Sequence, residues 1–182
     1  MKRVLVAGIG NIFFGDDAFG CEVAAELAKQ GLPGGATVRD FGIRSYDLAY
    51  AMMEDYDVII LVDASPRGEA PGTLYLIEPE RNEKNLDRFE GEVVNAHGMN
   101  PVRVLEMVRY LGGQPKKLYV VGCEPGVLES EDGRMGLSAQ VTAAVEPAVN
   151  MIKKLIVDLT VNESEALDVK KNRTKSSLER ET

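Results

Sequence analysis

The sequence has a single histidine, two cysteines, no basic block before its extreme C-terminus and no long apolar run. Each shortage removes a class of function. A membrane helix needs roughly 20 consecutive apolar residues, and the runs here are far shorter. Nucleic acid binding rests on a basic face, whereas this chain carries a formal net charge of −8. Such acidity suits a metal ion or a partner with a basic segment, or serves solubility. Cys21 and Cys123 lie far apart, form neither a CxxC pair nor a metal knuckle, and read as small core residues. No HExxH zinc helix is present. A Ser-His-Asp or Cys-His arrangement has no second histidine to draw on.

What is present is enough apolar material for one core, 45% of 182 residues, with no need of a disulfide or metal staple. The start, MKRVLVAGIG, has a basic pair and an apolar stretch, as a secretory leader would. It runs straight into a glycine turn with no cleavage site, so it is expected to be a buried strand of a cytoplasmic protein.

Three apolar runs, RVLVAGI at 3–9, DVIILVD at 57–63 and KLYVVGC at 117–123, are short and rich in β-branched residues. None alternates cleanly, which marks strands buried on both faces. ATVRDFG at 36–42 is a weaker strand. Helical spacing covers 18–30 and 45–54, and Asn100-Pro101 starts a helix that stops at Gly112-Gly113. Ser138 caps a last helix that contains Pro147 as a candidate kink. Too few residues separate Asp63 from the apolar TLYLI for a parallel crossover, so a strand at about 73–78 is expected antiparallel, at or near a sheet edge. The expectation is an α/β fold with three layers, a mostly parallel twisted sheet of about five strands with helices on both faces. It occupies residues 1–157, followed by a polar tail at 158–182 that composition marks as disordered.

The glycine-rich stretch GIGNIFFGDDAFG at 8–20 raises the question of a nucleotide site. Gly8 and Gly10 fit the dinucleotide fingerprint, but Phe13 stands where its third glycine belongs. Asp40 ends the second strand about where a ribose-binding acid would. Against this, Asp16 and Asp17 precede the first helix, where carboxylates stabilise the helix dipole and repel a phosphate. Position favours another use. Asp17 follows strand one and Asp63 closes strand three, at the carboxyl edge where open α/β sheets bind ligands. A buried aspartate there needs a partner. The lone His97, in VVNAHGMN before the Asn100 helix, is a surface histidine or reaches the same edge. Two carboxylates and an imidazole would make a metal site with open positions, for nickel, zinc or another divalent ion.

These residues resemble the hydrogenase maturation endopeptidases, which process the large subunit of nickel-iron hydrogenases. The resemblance is carried in order by GIGNIFFGDDAFG, the strand ending LVDA, APGTLYLIE, the lone histidine before a helix, PKKLYVVGCEP and GLSAQVTAAVEPAV. It runs from about residue 3 to 157. It implies a cytoplasmic endopeptidase that removes a C-terminal extension from a nickel-loaded large-subunit precursor. Asp17, Asp63 and His97 would be the metal-binding and catalytic residues, with nickel carried by the substrate and zinc or cadmium as alternatives in the free protein. The general base is unassigned; Asp16 and Asp40 are candidates by position. Where many members have an Asp-Gly-Gly-Thr type turn, this chain reads DFGIRS, so Asp40, Gly42 and Arg44 are expected to help read the substrate. Arg44 meets an acidic group of the partner or faces solvent. A monomer that docks one large partner is expected. Two rival readings are a nickel-binding accessory module without peptidase activity and a Rossmann-like nucleotide-binding protein.

Overall fold

The computed structural model describes residues 2–79, 101–128 and 135–178, with side chains for these residues except 101, 102 and 161–178. A five-stranded sheet is ordered β2-β1-β3-β5-β4 from β1 (Val4–Ile9), β2 (Thr37–Gly42), β3 (Val58–Ala64), β4 (Leu74–Ile77) and β5 (Leu118–Cys123). β1 pairs in parallel with β2 and β3, and β3 with β5. β4 runs antiparallel to β5 at the sheet edge, as its short connection to β3 requires.

Side chains alternate across a strand, and here both sets are buried. On one face Leu5, Ala7, Ile9, Ile59 and Leu61 pack against α2 (Ser45–Met53) and α3 (Pro101–Tyr110). On the other, Val4, Val6, Ile60 and Val62 pack against α1 (Phe19–Gln30) and α4 (Ala139–Leu178). This explains why the strands read as unbroken apolar runs. Cys21 and Cys123 are free and buried, one in each of two different elements.

The fingerprint glycine missing at Phe13 has a counterpart further on. A Cβ on Gly20 would lie 2.1 Å from the Val62 carbonyl oxygen, and one on Gly8 would lie 2.4 Å from that of Gly20. Backbone therefore meets backbone where α1 crosses β1 and β3, which presses the start of α1 onto the sheet. Gly10 has φ +139°, and a Cβ there would fall on the Asp17 carbonyl.

α4 continues past residue 157 into the segment whose composition marks a polar tail. Its backbone is helical to Leu178, since an established helix extends by one hydrogen bond per residue. Packing against the sheet layer is seen as far as Leu159. No helix among the described residues is long and apolar enough to cross a membrane.

Candidate functional site

In the order β2-β1-β3, the chain leaves β1 toward one neighbour and later returns on its other side. This is a switch point, and the crevice beyond the carboxyl ends of β1 and β3 is where such sheets take ligands. The acids expected there do converge. Asp17 sits in the 3-10 turn Gly15–Ala18 between β1 and α1, and Asp63 is the penultimate residue of β3. Both are buried.

Asp17 Oδ2 accepts a hydrogen bond from the Asn11 N–H at 2.7 Å. Asp63 Oδ1 accepts one from the Ala64 N–H at 2.9 Å. Burial pushes the Asp63 carboxyl well above the ordinary aspartate range; the nearby Asp17 charge pushes it further, and the Ala64 N–H only partly opposes them. Among the described residues no salt bridge reaches Asp63.

Cys21, in the first turn of α1, registers the same charge. Its Sγ donates to the Gly10 carbonyl at 3.4 Å. Burial raises the thiol above its ordinary range, followed by a hydrogen bond and charge from Asp40 and by the charges of Asp63 and Asp17. A thiol held protonated is a poor nucleophile. Carboxylates from β2, the β1–α1 turn and β3 thus all act on one buried side chain. His97 and Asn100 lie outside the described residues. Among the described residues no group of three or more His, Cys, Asp or Glu is set to hold a metal ion.

The two neighbouring aspartates have different surroundings. Asp16 Oδ2 accepts from the Gly126 and Val127 N–H groups at 2.8 Å each and from the Ser138 hydroxyl at 2.9 Å. Its Oδ1 accepts from the Ser138 N–H at 2.6 Å. With four donors on one fully buried carboxylate, Asp16 ties the β1–α1 turn to the segment after β5 and to the start of α4. Ser138 opens α4 through its carbonyl, which accepts the Thr142 N–H, while its hydroxyl turns to Asp16.

Asp40 Oδ1 accepts from the Gly42 N–H at 2.9 Å, closing a turn in which Gly42 has φ +55°. Arg44 secures that turn from above. Its Nε donates to the Phe41 carbonyl at 3.0 Å and its Nη2 to the Asp40 carbonyl, with Asp47 3.8 Å away. Arg44 therefore faces its own turn.

Sequence reasoning passed over Glu124, which directly follows β5 and is buried. Its carboxylate accepts from the Arg67 and Gly68 N–H groups, and from the Tyr75 hydroxyl at 2.5 Å. Burial alone would raise its pKa; the Tyr75 hydroxyl and the backbone N–H groups of Arg67, Gly68 and Glu69 outweigh it and bring the pKa below the ordinary value. Tyr75 is pushed up to about 12 by burial and by that carboxylate. Glu124 thereby fixes the loop that leaves Asp63. The signal was available, since an acid closing an apolar strand is the feature that singled out Asp63.

Tyr75→Phe is expected to cost about 1.5–3 kcal/mol at neutral pH, the range for a hydrogen bond to a charged group. The folded pKa of Glu124 is depressed, so its contribution is present above the unfolded value and lost as pH falls through the folded one. Urea unfolding of both proteins should therefore show the gap closing at acid pH. An equal gap at neutral and acid pH would contradict this.

The model of the HycI family, hydrogenase maturation protease, matches residues 21–155. A putative hydrogenase maturation protease of Methanocaldococcus jannaschii is 34% identical over 152 residues, covering 83% of this chain and 94% of its own. The hydrogenase 2 maturation protease of Escherichia coli is 32% identical, covering 82% and 88%. Among solved structures, the hydrogenase maturating endopeptidase HybD of E. coli superposes with TM-score 0.70 at 31% identity, covering 86% of this chain and 93% of its own.

Proposed function

The chain belongs to the hydrogenase maturation protease family and is an endopeptidase, and on that premise we propose that it cuts a nickel-iron hydrogenase large-subunit precursor, recognising it through the metal that the precursor carries. The cut removes a C-terminal extension. The observation that supports this reading is Asp63: a buried carboxylate, held beside Asp17 at the switch point, with its pKa raised by both circumstances. Such a pair is costly unless a cation joins it. Carboxylate oxygens suit a divalent ion, and an imidazole suits nickel or zinc.

Asp17, Asp63 and His97 would take open positions on the precursor's nickel and so register that it is present. The metal, bound to its own protein, supplies Lewis acidity toward a nearby scissile carbonyl. This chain's contribution is to hold the carboxylates in place. The Asn11 N–H orients Asp17, the Ala64 N–H orients Asp63, and Glu124 fixes the loop beyond it. Of the two candidates for general base, Asp16 has its oxygens committed to four donors. That leaves Asp40, two residues before the end of β2 and beside Cys21.

The test is the intact mass of a nickel-loaded large-subunit precursor after incubation with this protein. Loss of a short C-terminal peptide is the expected result. His97→Ala should abolish the cut while leaving the melting temperature within about 2 °C of wild type, as for loss of a ligand to a metal that another protein carries. Unchanged mass of a folded, loaded precursor would overturn the reading, and undiminished cutting by His97→Ala would remove His97 from the site.

A further inference from the structure

The carboxyl edge of β1 and β2 carries an exposed apolar surface among the described residues. Phe13 is 57% exposed, Ile43 59% and Tyr46 69%, and Ile12 is also exposed. These side chains come from adjacent connections. Ile9 pairs with Gly42, and the Gly10 N–H donates to the Gly42 carbonyl at 3.1 Å, so the two loops leave the sheet side by side. The first loop is a fixed turn: the Phe14 N–H donates to the Asn11 carbonyl at 3.1 Å and the Phe13 N–H to Asn11 Oδ1 at 3.0 Å. Ile12 and Phe13 are thus held outward by hydrogen bonds at the tip of a turn. Tyr46 projects from α2, whose core-facing side is made by Leu48 and Met52.

We infer that Ile12, Phe13, Ile43 and Tyr46 form the docking surface for an apolar segment of the precursor that flanks the bond to be cut. The inference rests on the proposed function and names the part of the substrate it adds. The argument is continuity with the acid pair. The Asn11 N–H is bound to Asp17, and Phe13 is two residues further on, at most about 7 Å of extended backbone away. A protein chain that brings a metal to Asp17 and Asp63 comes within reach of this turn. Exposed aromatic and branched apolar side chains beside a desolvated polar centre are the pattern of an interface core. A second copy of this chain is the poorer occupant. These four side chains offer a few hundred Å² at most, below the roughly 800 Å² per partner of a stable interface. A partner that also gains metal–carboxylate contacts needs no larger apolar area.

The test is the double variant Phe13→Ser/Ile43→Ser in steady-state cutting of the nickel-loaded precursor, with Tyr110→Ser as control. Tyr110 is more solvent-facing still but sits at the far end of α3. The double variant should raise KM at least tenfold with kcat within twofold, melt as wild type does, and leave the monomer unchanged in sedimentation. Tyr110→Ser should match wild type. An unchanged KM in the double variant overturns the inference while the protease reading stands. A wild-type dimer that the double variant disperses also overturns it, in favour of self-pairing. If wild type fails to cut, co-elution with the precursor decides separately. Co-elution lost only in the double variant upholds docking while the protease reading falls, and no co-elution by wild type ends both.

Discussion

Asp63→Asn is expected to end precursor cutting and, in the same protein, to raise stability at neutral pH. The two effects share one cause. Asp63 is 2% exposed and its pKa is raised well above the usual range, first by burial and then by Asp17. The folded state therefore keeps a proton that the unfolded chain releases. Between the unfolded and folded pKa values the folded protein binds more protons, so stability falls as pH rises through that window. An amide of the same shape carries no charge and escapes the penalty. The gain should appear as a higher melting temperature at neutral pH. It should vanish at pH values below the ordinary aspartate value of 3.8, where both states are protonated. Cutting should fall by on the order of 10²-fold or more, because a neutral amide is a weak metal ligand. Melting curves in chelated buffer at pH 8 and pH 3.5, beside the cutting assay, check both halves. Lower stability of Asp63→Asn at pH 8 would contradict the account and give Asp63 a structural partner.

The adjacent aspartate should behave in the opposite way. Asp16→Ala is expected to lose about 3–5 kcal/mol and roughly 10 °C or more of melting temperature. Asp16 is fully buried and accepts from the N–H groups of Gly126, Val127 and Ser138 and from the Ser138 hydroxyl. Without the carboxylate these part-buried donors lose their acceptor together, and the side of each that is shielded from water keeps its desolvation cost. Asp16→Asn should recover only part of the loss, since its NH₂ would face donors on one side. Asp17→Asn, one residue away, should melt close to wild type and fail to cut. Thermal melts of the three variants are sufficient. A melting temperature for Asp16→Ala within a degree of wild type would show that the tie carries no weight.

The contrast between these neighbours marks the limit of what sequence disclosed. Two acids at a helix start read alike, as dipole-stabilising residues. Their separation comes from Asp16's partners, which lie 110 to 122 positions away and meet it only when β5 and α4 are in place. The strands were legible because burial on both faces leaves unbroken β-branched runs. The reversed direction of β4 was legible because a short connection forbids a crossover. The close packing of α1 was sought in the dinucleotide pattern and missed there, because Gly20 does from within the helix what that pattern assigns to the position of Phe13. Arg44 could be placed beside the site but not aimed; its Nε and Nη2 donate to carbonyls of its own turn. The apolar tip at Ile12 and Phe13 is invisible in composition, since an apolar residue in a sequence does not reveal that it faces water.

The central claim is that the carboxylate pair reads a metal held by another protein. The most direct measurement is the affinity of this chain for nickel-loaded and nickel-free forms of the same precursor, by calorimetry, with wild type and with Asp17→Asn/Asp63→Asn. The account predicts that wild type prefers the loaded form by about tenfold or more, and that the double variant binds both forms equally. Equal affinity of wild type for the two forms would contradict it.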